Sequence, residues 1–179
     1  MAYNPPMNTQ QQTTWLWLSL IVILLDQLSK QWIEATFQLY QSMAVFPGFN
    51  LILVYNEGAA FSFLSDQGGW QRWFFVILAI AFSIGLIIWL LRLSEQEKWI
   101  SAAIALILGG AVGNVIDRIL FGHVIDFLDV YYDKWHFPAF NIADSAISLG
   151  VGLILIDAVL FEAQRRKSND ASSMNKPNR

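Results

Sequence analysis

Apolar and polar positions divide this chain into long apolar runs separated by short mixed segments. Four runs, at about 14–33, 73–91, 99–119 and 142–161, each come near the ~20 residues a helix needs to cross a bilayer. Between the first two, residues 49–55 are rich in β-branched and aromatic side chains. Pro47-Gly48 precedes them and Asn56-Glu57-Gly58 follows. That pattern predicts a short strand and a turn, with 60–64 returning. The fold expected is an all-α membrane protein with a small β element: four transmembrane helices plus a small sheet lying on the membrane surface. Residues 1–165 then form a single membrane domain, and 166–179 a short polar tail.

Composition strengthens this picture. Only 14% of the 179 residues are charged and 55% are hydrophobic, where a soluble domain carries roughly a quarter charged. So little polar sequence cannot cover four apolar helices in water. Residues 1–14 contain no Lys or Arg, so the basic region that opens a cleaved signal peptide is missing and the first run reads as a retained helix. With both termini on one side, that side holds Arg92, Lys98, Arg165, Arg166, Lys167, Lys176 and Arg179, and the other only Lys30, Arg72, Arg118 and Lys134. The bias favours cytoplasmic termini and an extracytoplasmic sheet. There is no cysteine, which excludes thiolate chemistry and disulfides. No basic cluster outside the tail suggests nucleic acid.

Candidate chemistry lies in the polar residues at span ends, where ionisable groups are costly and a functional reading is the default. Asp26 and Lys30, four apart, share a helix face; they read equally well as an intrahelical ion pair or as ligand-binding groups. Asn114, Asp117 and Arg118 share a face at the end of the third run. Asn141 and Asp144 open the fourth, in a pattern that also reads as an N-cap with an acid in the first turn. Asp126 lies in the stretch between those runs and, taken alone, reads as a loop carboxylate like Asp129 and Asp133. His123 and His136 fit no metal-ligand spacing. Gly109 and Gly113 form a GxxxG packing pattern. Asp157, at the opposite end, reads as snorkelling to the interface or meeting the basic tail.

Two carboxylates able to converge, Asp126 and Asp144, can share a proton and activate a water. Two readings from other classes stay open: a small proton-coupled transporter relaying through Asp26, Asp117 and Asp144, and a non-enzymatic membrane adaptor binding through the sheet. The transporter expects acids spread through the bilayer depth, whereas nearly all lie at one end. The adaptor needs no paired carboxylates.

Five blocks occur in order on this four-span frame. They are Asp26-Gln-Leu-Ser-Lys30, Asn56-Glu-Gly-Ala-Ala-Phe-Ser-Phe63, Gly109-Gly-Ala-Val-Gly-Asn-Val-Ile-Asp-Arg118, Val124-Ile-Asp-Phe127 and Phe140-Asn-Ile-Ala-Asp144. With them the chain resembles the lipoprotein signal peptidases (prolipoprotein signal peptidase, signal peptidase II), aspartyl protease family A8, from about Trp15 to Phe161. The resemblance implies an aspartyl dyad at Asp126 and Asp144, with Asp26, Lys30, Asn56, Gly58, Asn114, Arg118 and Asn141 binding substrate or shaping the site. It implies a diacylglyceryl-modified prolipoprotein substrate cut just before the lipidated cysteine, no metal or organic cofactor, and a bacterial plasma (inner) membrane location. A monomer is expected, in contact with membrane lipid.

Overall fold

The computed structural model describes residues 9–58, 69–95 and 97–160; the expected return at 60–64 and the tail lie outside them. In chain order the elements are α1 (Thr9–Thr14), α2 (Leu16–Thr36), β1 (Ser42–Phe46), β2 (Phe49–Asn56), α3 (Trp70–Arg92), α4 (Lys98–Leu120), β3 (Val124–Tyr132), β4 (Trp135–His136) and α5 (Ile142–Leu160). Trp15 keeps right-handed helical angles between α1 and α2, so the first span runs unbroken from Gln12 to Thr36. Four helices are long and apolar enough to cross a membrane, and each lies within a few residues of the run expected for it.

Helix α4 is the central one: 56% of its apolar window is buried, against 22–28% for the other three. Its small residues explain this. A Cβ on Gly109 would meet the Ser19 carbonyl of α2 at 2.8 Å, and one on Gly110 would run into the Ala143 carbonyl of α5. On α5, a Cβ at Gly150 would meet the Ala103 carbonyl of α4 at 2.6 Å. Without a water-driven hydrophobic force inside lipid, such close backbone approach is how helices gain contact. The GxxxG reading of Gly109 and Gly113 holds, with Gly113 against the Asp26 carboxylate of α2. At the α3–α4 hairpin end, Leu86, Leu90, Leu93, Ile100, Ile104, Ile107 and Leu108 form an apolar core.

At the other end lies a four-stranded antiparallel sheet in the order β1-β2-β3-β4. It is larger than expected. Strand β2 falls where the pattern placed it, but its hydrogen-bonded neighbours β1 and β3 are both unforeseen. Asp126 and Asp129 therefore sit on a strand, not in a loop. The β1–β2 hairpin closes over Pro47-Gly48, with Phe46 opposite Phe49 and Gly48 at φ +90°, the positive φ a tight turn takes from glycine. Alternation along β2 sends Leu51, Leu53 and Tyr55 into a cluster with Ile125, Phe127, Ile33 of α2 and Phe37 just after that helix. The sheet is thereby fastened over the end of α2, and its opposite face is left for Asn50, Ile52, Val54 and Asn56.

Gly150→Val is expected to force α4 and α5 apart and lower stability by about 1–3 kcal/mol. Gly152, with nothing within 4 Å of its would-be Cβ, is the control. In detergent melting curves Gly152→Ala should match the parent while Gly150→Val melts lower; equal melting of the two contradicts the packing account.

Candidate active site

The polar residues converge at the sheet end of the bundle through one ammonium group. Lys30 Nζ lies 2.8 Å from Asp26 Oδ2, 2.8 Å from Asp117 Oδ2 and 2.9 Å from Asn114 Oδ1. An ammonium carries three donors and no acceptor, so all three N–H groups are used. Lys30 and Asp26 are 1% and 0% exposed; burial of this kind is tolerated only with such complete pairing. The second oxygens of the two acids reach further. Asp26 Oδ1 accepts the Ala143 N–H of α5 and Asp117 Oδ1 accepts from Gln27, while Asp117 Oδ2 also takes the Ile125 N–H of β3. One cluster thus joins α2, α4, β3 and α5. Asp26 and Lys30 form the ion pair that their spacing allowed. Asp117, absent from the expected site residues, completes it; its signal was its place three residues after Asn114 on the same face.

Lys30 also sets the orientation of the next layer. Because Asn114 Oδ1 accepts from Lys30, its amide NH₂ must face the other way, where it donates to Asp144 Oδ1 at 2.8 Å. Asn141 is fixed by the same logic. Its Oδ1 accepts the Asp144 N–H at 2.9 Å, leaving Nδ2 to donate to Asp126 Oδ1 at 2.7 Å. The Asn141 N–H in turn donates to Asp144 Oδ2 at 3.3 Å, a reciprocal cap of the α5 N-terminus. The N-cap reading of Asn141 and Asp144 is therefore correct as geometry. It coexists with pairing, since one asparagine holds a carboxylate oxygen of Asp126 and one of Asp144. Asn56 accepts the Gly58 N–H and donates to Asp126 Oδ2 at 3.0 Å.

Asp126 is 3% exposed. Burial first, and then the negative charge of Asp144, push its carboxyl up to about 7, against weaker downward pulls from Asn56, Asn141 and Lys30. Arg118 reaches across the site from α4: Nη2 donates to the Gly58 carbonyl at 2.8 Å, and its guanidinium lies 5.4 Å from the Phe75 ring centre. A cavity of ≈1090 Å³ lies beside these groups. Asn56, Asn114, Arg118, Asp126 and Asp144 line one part of it, and Val54, Phe137, Phe140 and Ile147 supply apolar walls. Of the nine expected site residues, five line this cavity; Asp26 and Lys30 lie behind it, while Gly58 and Asn141 hold its groups in place.

Two histidines behave differently. His123 stacks on Tyr55 at 4.0 Å, away from the cavity, and burial holds its imidazole below the usual value. His136 lines the cavity and pairs with Asp129, its Nδ1 2.8 Å from the carboxylate. Asp129 was read as an ordinary loop acid; it is buried and bonded to Asn50 as well. Among the described residues no three His, Asp or Glu groups are placed to hold a metal ion.

A family model described as signal peptidase (SPase) II matches residues 18–160. The chain belongs to the signal peptidase II family. That is an aspartic peptidase family. A lipoprotein signal peptidase of Shewanella piezotolerans is 51% identical over 156 residues, 87% of this chain and 92% of that one. One from Pseudomonas aeruginosa is 45% identical over 170 residues, 94% and 98% of the two chains. A solved bacterial membrane enzyme, determined by the in meso method, superposes with a TM-score of 0.74 at 33% identity, covering 93% of each chain. This signal peptidase II chain is accordingly a multi-pass bacterial membrane protein.

Lys30→Met strands Asp26 and Asp117 as buried charges with no counterion. Losing one partner of a buried pair costs about 3–5 kcal/mol, so this variant should melt far below the parent in detergent. An unchanged melting temperature contradicts the clamp.

Proposed function

We propose that this protein is a membrane aspartyl endopeptidase that removes signal peptides from diacylglyceryl-modified prolipoproteins. The bond cut is the one just before the lipidated cysteine. The observation that carries the mechanism is the shared asparagine: Asn141 donates to Asp126 through its side chain and to Asp144 through its backbone. Asp126 is buried and faces the half-buried Asp144 carboxylate, so it resists ionising and keeps a proton up to about 7, which gives the pair one protonated and one ionised member. The ionised member takes a proton from water, and the protonated member polarises the scissile carbonyl. The roles exchange when the leaving amine is protonated, so neither residue is solely base or acid.

The other site residues orient this pair and the substrate. Asn56, Asn114 and Asn141 aim donors at the two carboxylates, and Arg118 holds the Gly58 carbonyl beside the cavity. The apolar walls suit acyl chains that remain in the bilayer while the peptide reaches the aspartates. Each buried methylene contributes ~0.8 kcal/mol, and that remote binding energy can hold the scissile bond in place. The setting is the bacterial plasma membrane, with termini cytoplasmic and the sheet facing outward, as the distribution of Lys and Arg favours.

The test is cleavage of diacylglyceryl-modified prolipoprotein by purified variants. Asp126→Asn and Asp144→Asn should each fold and insert yet lose about 10³-fold or more in turnover, roughly 4 kcal/mol. The same precursor without its lipid should be cut poorly by the parent enzyme. Near-normal turnover in either variant contradicts the dyad.

The folded carboxyl of Asp126 sits at about 7, above its ordinary 3.8. The folded state therefore binds the proton more tightly between those values, and stability falls as pH rises through that window. The singly protonated pair is lost above pH about 7, so kcat/KM should fall there, tenfold per pH unit in the limit. A flat kcat/KM between pH 6 and 9, ranges set around that value, contradicts the shared proton.

A further inference from the structure

We propose that His136, held by Asp129, is a substrate-binding residue that grips the peptide main chain about three residues from the scissile bond. The inference rests on the reading of Asp126 and Asp144 as the catalytic pair and adds the far end of the same cavity to it. Residues three apart on a regular strand point to opposite faces. Here the β2–β3 register shifts between Leu51 and Val54, and the successive N–H groups of Phe127 and Leu128 both donate to the Phe140 carbonyl. Such irregularities re-aim side chains beside active sites. As a result Asp126 and Asp129 both line the cavity. At ~3.3 Å per residue the two positions are about 10 Å apart along β3, the reach of three residues of an extended peptide.

At that end both oxygens of the Asp129 carboxylate are committed. Asp129 Oδ2 accepts from Asn50 Nδ2 at 2.8 Å, and Oδ1 lies 2.8 Å from His136 Nδ1. The imidazole stacks on Tyr131 with ring centres 5.1 Å apart and planes 19° apart. Its plane and its Nδ1 are thus fixed from two sides. Nε2 is left without a partner among the described residues, on a side chain that is 53% exposed and lines the cavity. A buried carboxylate, itself 5% exposed, is a costly device for holding a ring that does nothing. Whichever state the ring adopts, Nε2 either donates or accepts. An extended peptide offers both a carbonyl and an N–H at every residue, so the contact does not depend on substrate sequence.

A purely structural clasp between β3 and β4 is the competing account, and two substitutions separate them. Asn places its amide near the position of Nδ1 and keeps the bond to Asp129; Gln places its amide near the position of Nε2. Steady-state cleavage of diacylglyceryl-modified prolipoprotein is measured for His136→Ala, His136→Asn and His136→Gln, each with its melting temperature. We expect KM to rise ~10-fold for Ala and Asn with kcat within about twofold, and Gln to stay within about threefold of the parent in KM. Parent-like KM in His136→Asn or His136→Ala overturns the proposal, as does an equal loss in all three variants accompanied by lower melting temperatures. A parent enzyme that fails to cleave this substrate at all is a failure of the proposed function instead.

Discussion

A charged lysine placed where almost no water reaches is the constraint on which the rest of this structure depends. Lys30 is stable there only because three acceptors meet its three N–H groups, and those acceptors come from α2 and α4. Once Asp26 and Asp117 are committed to it, their remaining capacity ties in the N-terminal turn of α5 and the start of β3. The cluster is therefore a register pin for four elements as well as an ion pair. It also acts through chemistry: a group that can only donate dictates which way the Asn114 amide faces, and that amide supports Asp144.

Small residues and the sheet complete the scaffold in different ways. Glycines on α4 and α5 bring their backbones close enough for Ala143, next to Asp144, to reach Asp26. The sheet packs its apolar face on Ile33 and Phe37 at the end of α2, which turns its other face, with Asn56 and Asp126, toward Asp144. Asp126 is then buried among neutral donors beside another acid. Neutral amide donors lower the cost of a negative charge less than a cation would, so burial and the Asp144 charge prevail and the carboxyl rises to about 7. The ammonium that does lie nearby is already spent on Asp26 and Asp117.

Much of this was legible in the residues, and the gaps have physical reasons. The four spans were readable because bilayer thickness sets a length that soluble helices seldom reach with so few charges. Strand β2 was readable from its β-branched run between turn residues. Strand β3 was not, although Val124, Ile125, Phe127, Val130, Tyr131 and Tyr132 favour a strand, because Asp126 and Asp129 interrupt its apolar pattern. Each acid is held in its buried place by an asparagine more than sixty residues away in sequence, Asn56 for Asp126 and Asn50 for Asp129. Strand β1 is exposed along its whole length, so no buried face imposes alternation on it. Spacing put Asp26 beside Lys30, but Asp117 as a second counterion required the packing of α2 on α4. The cavity role of His136 depended on a register shift that no local pattern announces.

The central claim is that Asp126 keeps a proton near neutral pH because of where the fold buries it. Isotope-edited infrared spectroscopy of the purified protein, with the Asp144→Asn variant and an Asp126→Asn reference, reads that proton directly through the carboxylic acid C=O stretch. The account predicts that the band assigned to Asp126 persists through mildly acidic pH and disappears as pH rises through about 7. Because the Asp144 charge contributes to the shift, the band should disappear at lower pH in Asp144→Asn. A band lost near the ordinary carboxylate value of 3.8, unchanged by that substitution, would contradict it.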